Sequence, residues 1–221
     1  MLNYTADGFA FAVPGDLDEM PLGRFLNFIE STDDSEALAA IAGVTVSDLR
    51  PLRAPDLSGI LPALEYLQDL PDFKTLPAPK SLQIDGLTVV PPSNLGTQTT
   101  FSQKSDIDAA IRLMVKEGKK FNYINLSRVL LSTYLYPIVS GEKYEGQDQA
   151  KGILPLIDSL PVTDALPLAA FFLTSWSGEM RSGRLKCKAT FQKRKKITLT
   201  SKLLQWFKTW QRMTLFSRSS E

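Results

Sequence analysis

Two short stretches of this chain read as extended pairs, and almost all the rest repeats its apolar positions at helical spacing. The first pair is Leu2-Asn3-Tyr4-Thr5 and Phe9 to Val13, separated by Asp7-Gly8, a dipeptide that tolerates the positive φ of a tight hairpin turn. Pro14 closes its second strand. The second pair is Leu82-Gln83-Ile84 and Leu87-Thr88-Val89-Val90 around Asp85-Gly86, stopped by Pro91-Pro92, because proline cannot continue a ladder.

Leu22, Phe25, Leu26, Phe28 and Ile29 predict a first helix, with Pro21 suited to its first turn. Ser35 to Ala42 predicts a second, stopped by Gly43, and Thr45-Val46-Ser47-Asp48 is a capping box that opens a short third. From Asp56 to Asp69 the residues Leu57, Ile60, Leu61, Leu64 and Leu67 follow the spacing of one buried helical face. Pro71 to Pro79 is a Pro-rich connector. Asp106 to Lys116 is amphipathic through Ile107, Ala110, Ile111, Met114 and Val115. Leu126 to Val139 is apolar nearly all round, the mark of a central helix, and Gln147 to Leu160 and Thr163 to Trp176 complete the series.

The fold class expected is therefore mainly α with two short β-hairpins, an α+β helical bundle. Asp7, Gly8, Pro14 and Leu17 recur 78 residues later as Asp85, Gly86, Pro92 and Leu95, and a Leu-Pro-bearing apolar segment follows each series, at Ile60 to Leu64 and at Ala165 to Ala169. Either a hairpin-plus-helices module is duplicated, or two unrelated hairpins frame one helical domain. The expected division is an acidic module over 1–76, a second module over 80–180, and a basic arm over 184–221, set off by Ser177-Gly178 and Ser182-Gly183.

Charge sharpens this division. Residues 1–75 carry thirteen Asp/Glu against four Lys/Arg, whereas 181–221 carry twelve Lys/Arg and one acid, Glu221. The net of +1 hides a dipole along the chain, which points to contacts made through surfaces. The chain has no His and one Cys, which removes imidazole bases and ligands, disulfides within the chain and Cys-cluster metal sites. Met1-Leu2-Asn3-Tyr4 lacks the basic start of a signal peptide. The longest apolar run, Ala165 to Leu173, is about half of the ~20 residues a spanning helix needs. No membrane span is expected, and the expected protein is soluble and cytoplasmic or particle-associated.

Within the arm, Lys193-Arg194-Lys195-Lys196 is a compact cationic patch suited to phosphates, or else a solvated run. Thr200 to Phe216 is a basic amphipathic stretch: Leu203, Phe207, Trp210 and Thr214 share one side, and Leu204, Trp206 and Met213 widen it. It fits a partner's groove, the chain's own core or a membrane surface. Trp206 and Trp210 are the expected anchors. Catalytic candidates are sparse. Cys187 lies between two lysines without a His partner. Ser140 and Lys143 have a Ser-x-x-Lys spacing without the accompanying motifs. Asp33-Asp34, Asp16/Asp18/Glu19 and Asp106/Asp108 suit either a hard cation or helix starts. The expectation is a non-enzymatic protein without cofactor or metal.

Three stretches together carry a resemblance: Val13-Pro14 leading to Met20-Pro21-Leu22-Gly23-Arg24-Phe25, Leu130 to Pro137 with Lys143-Tyr144, and Leu160 to Leu173. Their order resembles small virion-assembly proteins of tailed bacteriophages, of the tail-assembly-chaperone type. The resemblance covers residues 1–176 and leaves the basic arm unexplained. It implies a helical factor that binds tail-tube or tape-measure proteins, or copies of itself, and keeps them soluble until they polymerise. Phe171, Phe172, Trp176, Leu203, Trp206, Phe207 and Trp210 are the candidate contacts, although Phe171 and Phe172 are more often core residues. The alternative is a nucleic-acid-binding accessory protein acting through the arm.

Overall fold

A computed structural model describes residues 1–6, 9–52, 60, 62–118 and 122–182. The chain is mainly helical with two small antiparallel sheets, an α+β fold. Strands β1 (Leu2–Ala6) and β2 (Phe9–Val13) form the first hairpin, with Leu2 opposite Val13 and Ala6 opposite Phe9. Helices α1 (Leu22–Glu30), α2 (Asp34–Ala42) and α3 (Val46–Leu49) follow. The second hairpin pairs β3 (Leu82–Ile84) with β4 (Leu87–Val89). Asp85 and Gly86 both hold positive φ, 50° and 76°, as a two-residue turn matched to strand twist requires. Then come α4 (Leu95–Gln98), α5 (Phe101–Lys116), α6 (Tyr123–Ser140), α7 (Gln147–Lys151), α8 (Leu154–Asp158) and α9 (Val162–Ser182).

Local signals account for most boundaries. Asp33 caps α2 by accepting the Glu36 N–H, and Gly43 ends it in the left-handed region at φ 68°. The Thr45–Asp48 box is closed in both directions. Four expectations need correction. Of the helix expected over 56–69, residues 56–59 and 61 lie outside the described residues, and Pro62–Gln68 is a 3-10 helix, whose three-residue repeat buries Leu64 and Leu67 just as an α-helical face would. Helix α5 starts at Phe101 rather than Asp106, because Thr100 and Gln103 form a second capping box. The segment 147–160 is two short helices, broken around Gly152-Ile153, with Pro155 in the first turn of the second. Helix α9 also continues through Ser177-Gly178.

One contiguous core runs from Phe11 to Trp176. Its axis is the packing of α9 on α6, where the Tyr134 and Phe172 rings lie 4.7 Å apart. Helix α9 also meets α1, α4 and a 3-10 turn at Phe73–Thr75, which buries Phe73 within the Pro-rich connector. The first residues of α1 and α9 cap each other. Leu22 N–H donates to Leu160 O at 2.8 Å, and Val162 N–H donates to Met20 O at 2.9 Å, across a Pro21–Pro161 bridge. Each helix thereby satisfies one of the other's otherwise unpaired donors. The three stretches that carry the sequence resemblance thus meet in one region of the core.

Proline inside α6 creates a specific need. Pro137 lacks the N–H that would bond Thr133 O four residues back. Gln103 Nε2 supplies that bond from α5 at 2.9 Å, while its Oε1 accepts from Thr100 N–H at 2.9 Å. One buried amide therefore closes a helix start and repairs a helix interior.

Candidate interaction surface

The residues singled out in the sequence fall into three groups. Leu203, Trp206, Phe207, Trp210, Lys193, Arg194, Lys195, Lys196 and Cys187 lie outside the described residues. Phe172 has no exposed surface and Trp176 is buried, with no hydrogen-bond partner for its indole N–H among the described residues. Phe171 is half-buried, its ring 5.8 Å from that of Phe172. Phe172 is thus a packing residue of the α6–α9 contact; of these three aromatics, Phe171 presents the most ring to solvent.

Of the acids considered for a cation, Asp16, Glu19, Asp33 and Asp106 are engaged in local structure. Asp16 accepts the Glu19 N–H at 2.9 Å. Glu19 pairs with the Met1 ammonium and accepts the Gly15 N–H at 2.8 Å, and these contacts, in that order, hold its carboxyl below the usual range. Asp33 is the α2 cap. Asp106 accepts the Tyr144 hydroxyl at 2.7 Å, and burial first, then this bond, push that phenol above its ordinary value. Asp164, in the first turn of α9, is pushed up by burial and then by Asp18. Among the described residues, no group of three or more His, Cys, Asp or Glu has a metal-holding arrangement. Ser140 Oγ donates to Tyr136 O at 2.7 Å and accepts the Glu142 N–H at 3.1 Å, which makes it a helix-end residue.

What the sequence reading missed is a set of large apolar side chains held in water. Of the nine such residues described, five fall between 87 and 115: Leu87, Val90, Phe101, Leu113 and Val115. Phe101 is 86% exposed, Val90 64% and Val115 63%. Phe101 occupies the first position of α5, where the Thr100–Gln103 box fixes the backbone and turns the ring away from the buried side that holds Gln103, Ile107 and Met114. Arg112 and Lys116 are exposed on the same helix. Helical periodicity over Ile107, Ala110, Ile111 and Met114 located the buried side, whereas Val115, read as part of the same apolar set, is exposed, and the pattern before Asp106 gave no sign of an ordered exposed ring.

No described helix is long and apolar enough to cross a membrane. No family model matches the sequence, and no curated protein or solved structure matches it.

Proposed function

We propose that this chain is a non-enzymatic assembly protein of a tailed bacteriophage, one that binds virion components of the tail-tube or tape-measure kind. The observation that carries the reading is Phe101, held 86% exposed on a capped helix on which Leu113 and Val115 are exposed as well. Single exposed apolar residues are ordinary; a nearly bare phenyl ring on an ordered helix start is a large area left uncovered. Covering it would contribute about 1.5–3 kcal/mol. Virion subunits with unpaired edges or apolar surfaces need such a cover until they polymerise. The order of the stretches Met20–Phe25, Leu130–Pro137 and Leu160–Leu173 gives the phage assignment its support.

The test is coexpression of the protein, and of Phe101→Ser, with the structural proteins encoded beside it. The intact protein keeps one of those subunits soluble and copurifies with it, whereas Phe101→Ser leaves that subunit in the pellet. If no subunit is held, and the purified protein instead carries nuclease-sensitive nucleic acid that salt removes, the reading fails in favour of a nucleic-acid role for residues 184–221.

A further inference from the structure

The outer edge of β2 runs along an open groove walled by α1 and α2. The first hairpin closes on the Ala6–Phe9 pair, and hydrogen-bonded and non-bonded pairs alternate from there. Ala10 and Ala12, opposite Thr5 and Asn3, therefore direct their N–H and C=O groups away from β1. A side-chain contact agrees: Arg24 Nη1 reaches Ala12 O from outside at 3.1 Å and also donates to Ile41 O at 3.2 Å. Among the described residues the sheet has two strands, and Ala10 lines the groove. Its lining includes Phe9, Ala10, Arg24, Ala39, Ala40 and Gly43.

Arg24 is the chemically distinctive member. Only Nη1 is committed; Nε and Nη2 have no partner among the described residues, and they form the edge of the guanidinium that grips a carboxylate by two bonds. The group lies flat over Gly43, where an added Cβ would stand 2.5 Å from Cζ, Nε and Nη2. Asp48, the acid that lines the groove, is spent on the Thr45 hydroxyl and N–H at 2.6 and 2.9 Å.

We propose that this groove binds an extended segment of another protein chain, bonded to the Ala10 N–H and C=O on the outer edge of β2, with one Asp or Glu of that segment paired to Arg24. A helical occupant could not use the strand edge, because its own backbone groups are already bonded. Local complementarity sets the acid opposite Arg24. The thirteen acids of residues 1–75 disfavour a second acid in the same segment, since like charges facing across an interface are costly. The inference concerns the β2 edge alone and does not depend on the virion-assembly reading.

A random-peptide display library panned on the full chain tests it. Enriched sequences carry a single Asp or Glu in an otherwise neutral or basic stretch and lack proline at alternate positions. Changing that acid to its amide in a synthetic copy weakens binding about tenfold, the loss of one charge-assisted pair. Ala10→Pro weakens it about as much, because it removes the outward N–H while leaving the β1–β2 ladder and the melting curve intact. Should Ala10→Pro lower the melting temperature, backbone amide shifts of the native protein decide: peptide-induced shifts at Ala10, Ala12 and Gly43 support the site, and shifts elsewhere overturn it. No enrichment, enrichment of acid-free sequences, or undiminished binding to a stably folded Ala10→Pro also overturns it.

Discussion

Gln103→Leu removes an amide that two helices share, and its cost can be worked from the contacts. Gln103 is 3% exposed. Its Nε2 is the donor to Thr133 O, whose helical donor Pro137 cannot supply. A buried acceptor left without its donor costs about 1–3 kcal/mol. The lost return bond to Thr100 N–H adds about 0.5–1 kcal/mol. Together these give about 1.5–4 kcal/mol, which lowers Tm by about 3–16 °C in a chain of this size. Urea unfolding followed by circular dichroism measures the loss. The decisive comparison uses Pro137→Ala, which returns an N–H to the α6 ladder. In that background Gln103→Leu costs at least about 1 kcal/mol less, because Thr133 O keeps a donor. Equal costs in the two backgrounds would refute the assignment of Gln103 as the replacement donor.

Two further substitutions test the packing and the charge. Gly23→Ala would place a Cβ 2.9 Å from Asp158 Cβ, and Asp158 is fixed on α8 by its two-bond pair with Arg128 at 2.8 and 3.1 Å. Thermal unfolding should show a loss of about 1–3 kcal/mol, and a neutral result would mean that α1 and α8 separate freely. Asp164 has a folded-state pKa raised by burial and by Asp18, so the folded chain holds its proton more tightly than the unfolded one. Its contribution is greatest below the carboxyl's ordinary value and falls as pH rises through the raised one. Asp164→Asn therefore gains stability over the native protein on going from about pH 3 to about pH 7, measured by paired melts. A difference that stays flat with pH contradicts the shift.

Much of the fold was legible wherever one local rule acted alone. Asp85-Gly86 can be read as a two-residue turn because few residue pairs accept positive φ twice, and Thr45-Val46-Ser47-Asp48 can be read as a box because both partners sit within four residues. Leu64 and Leu67 were ambiguous, since a spacing of three suits 3-10 and α-helix alike. The box at Thr100–Gln103 was present in the sequence but preceded the apolar repeat that marked the helix. The β2 groove was not legible at all: Ala10, Arg24 and Gly43 are far apart in sequence, and each has an ordinary local role. Their joint meaning comes from which edge of β2 faces α2, which no spacing encodes.

The exchange of bonds between Met20-Pro21-Leu22 and Leu160-Pro161-Val162 also fixes an order of events during synthesis. The two partners lie 140 residues apart, and at about 5–20 residues per second the second follows the first by roughly 7–28 s. Until then α1 lacks both the acceptor for its first N–H and the α9 surface that it packs against. The nascent N-terminal quarter thus leaves the ribosome with the α9-facing side of α1 uncovered and locks only when the last described helix arrives. Such long-range closure is slow to form. During that interval the protein itself is a client for whatever holds unfinished chains apart.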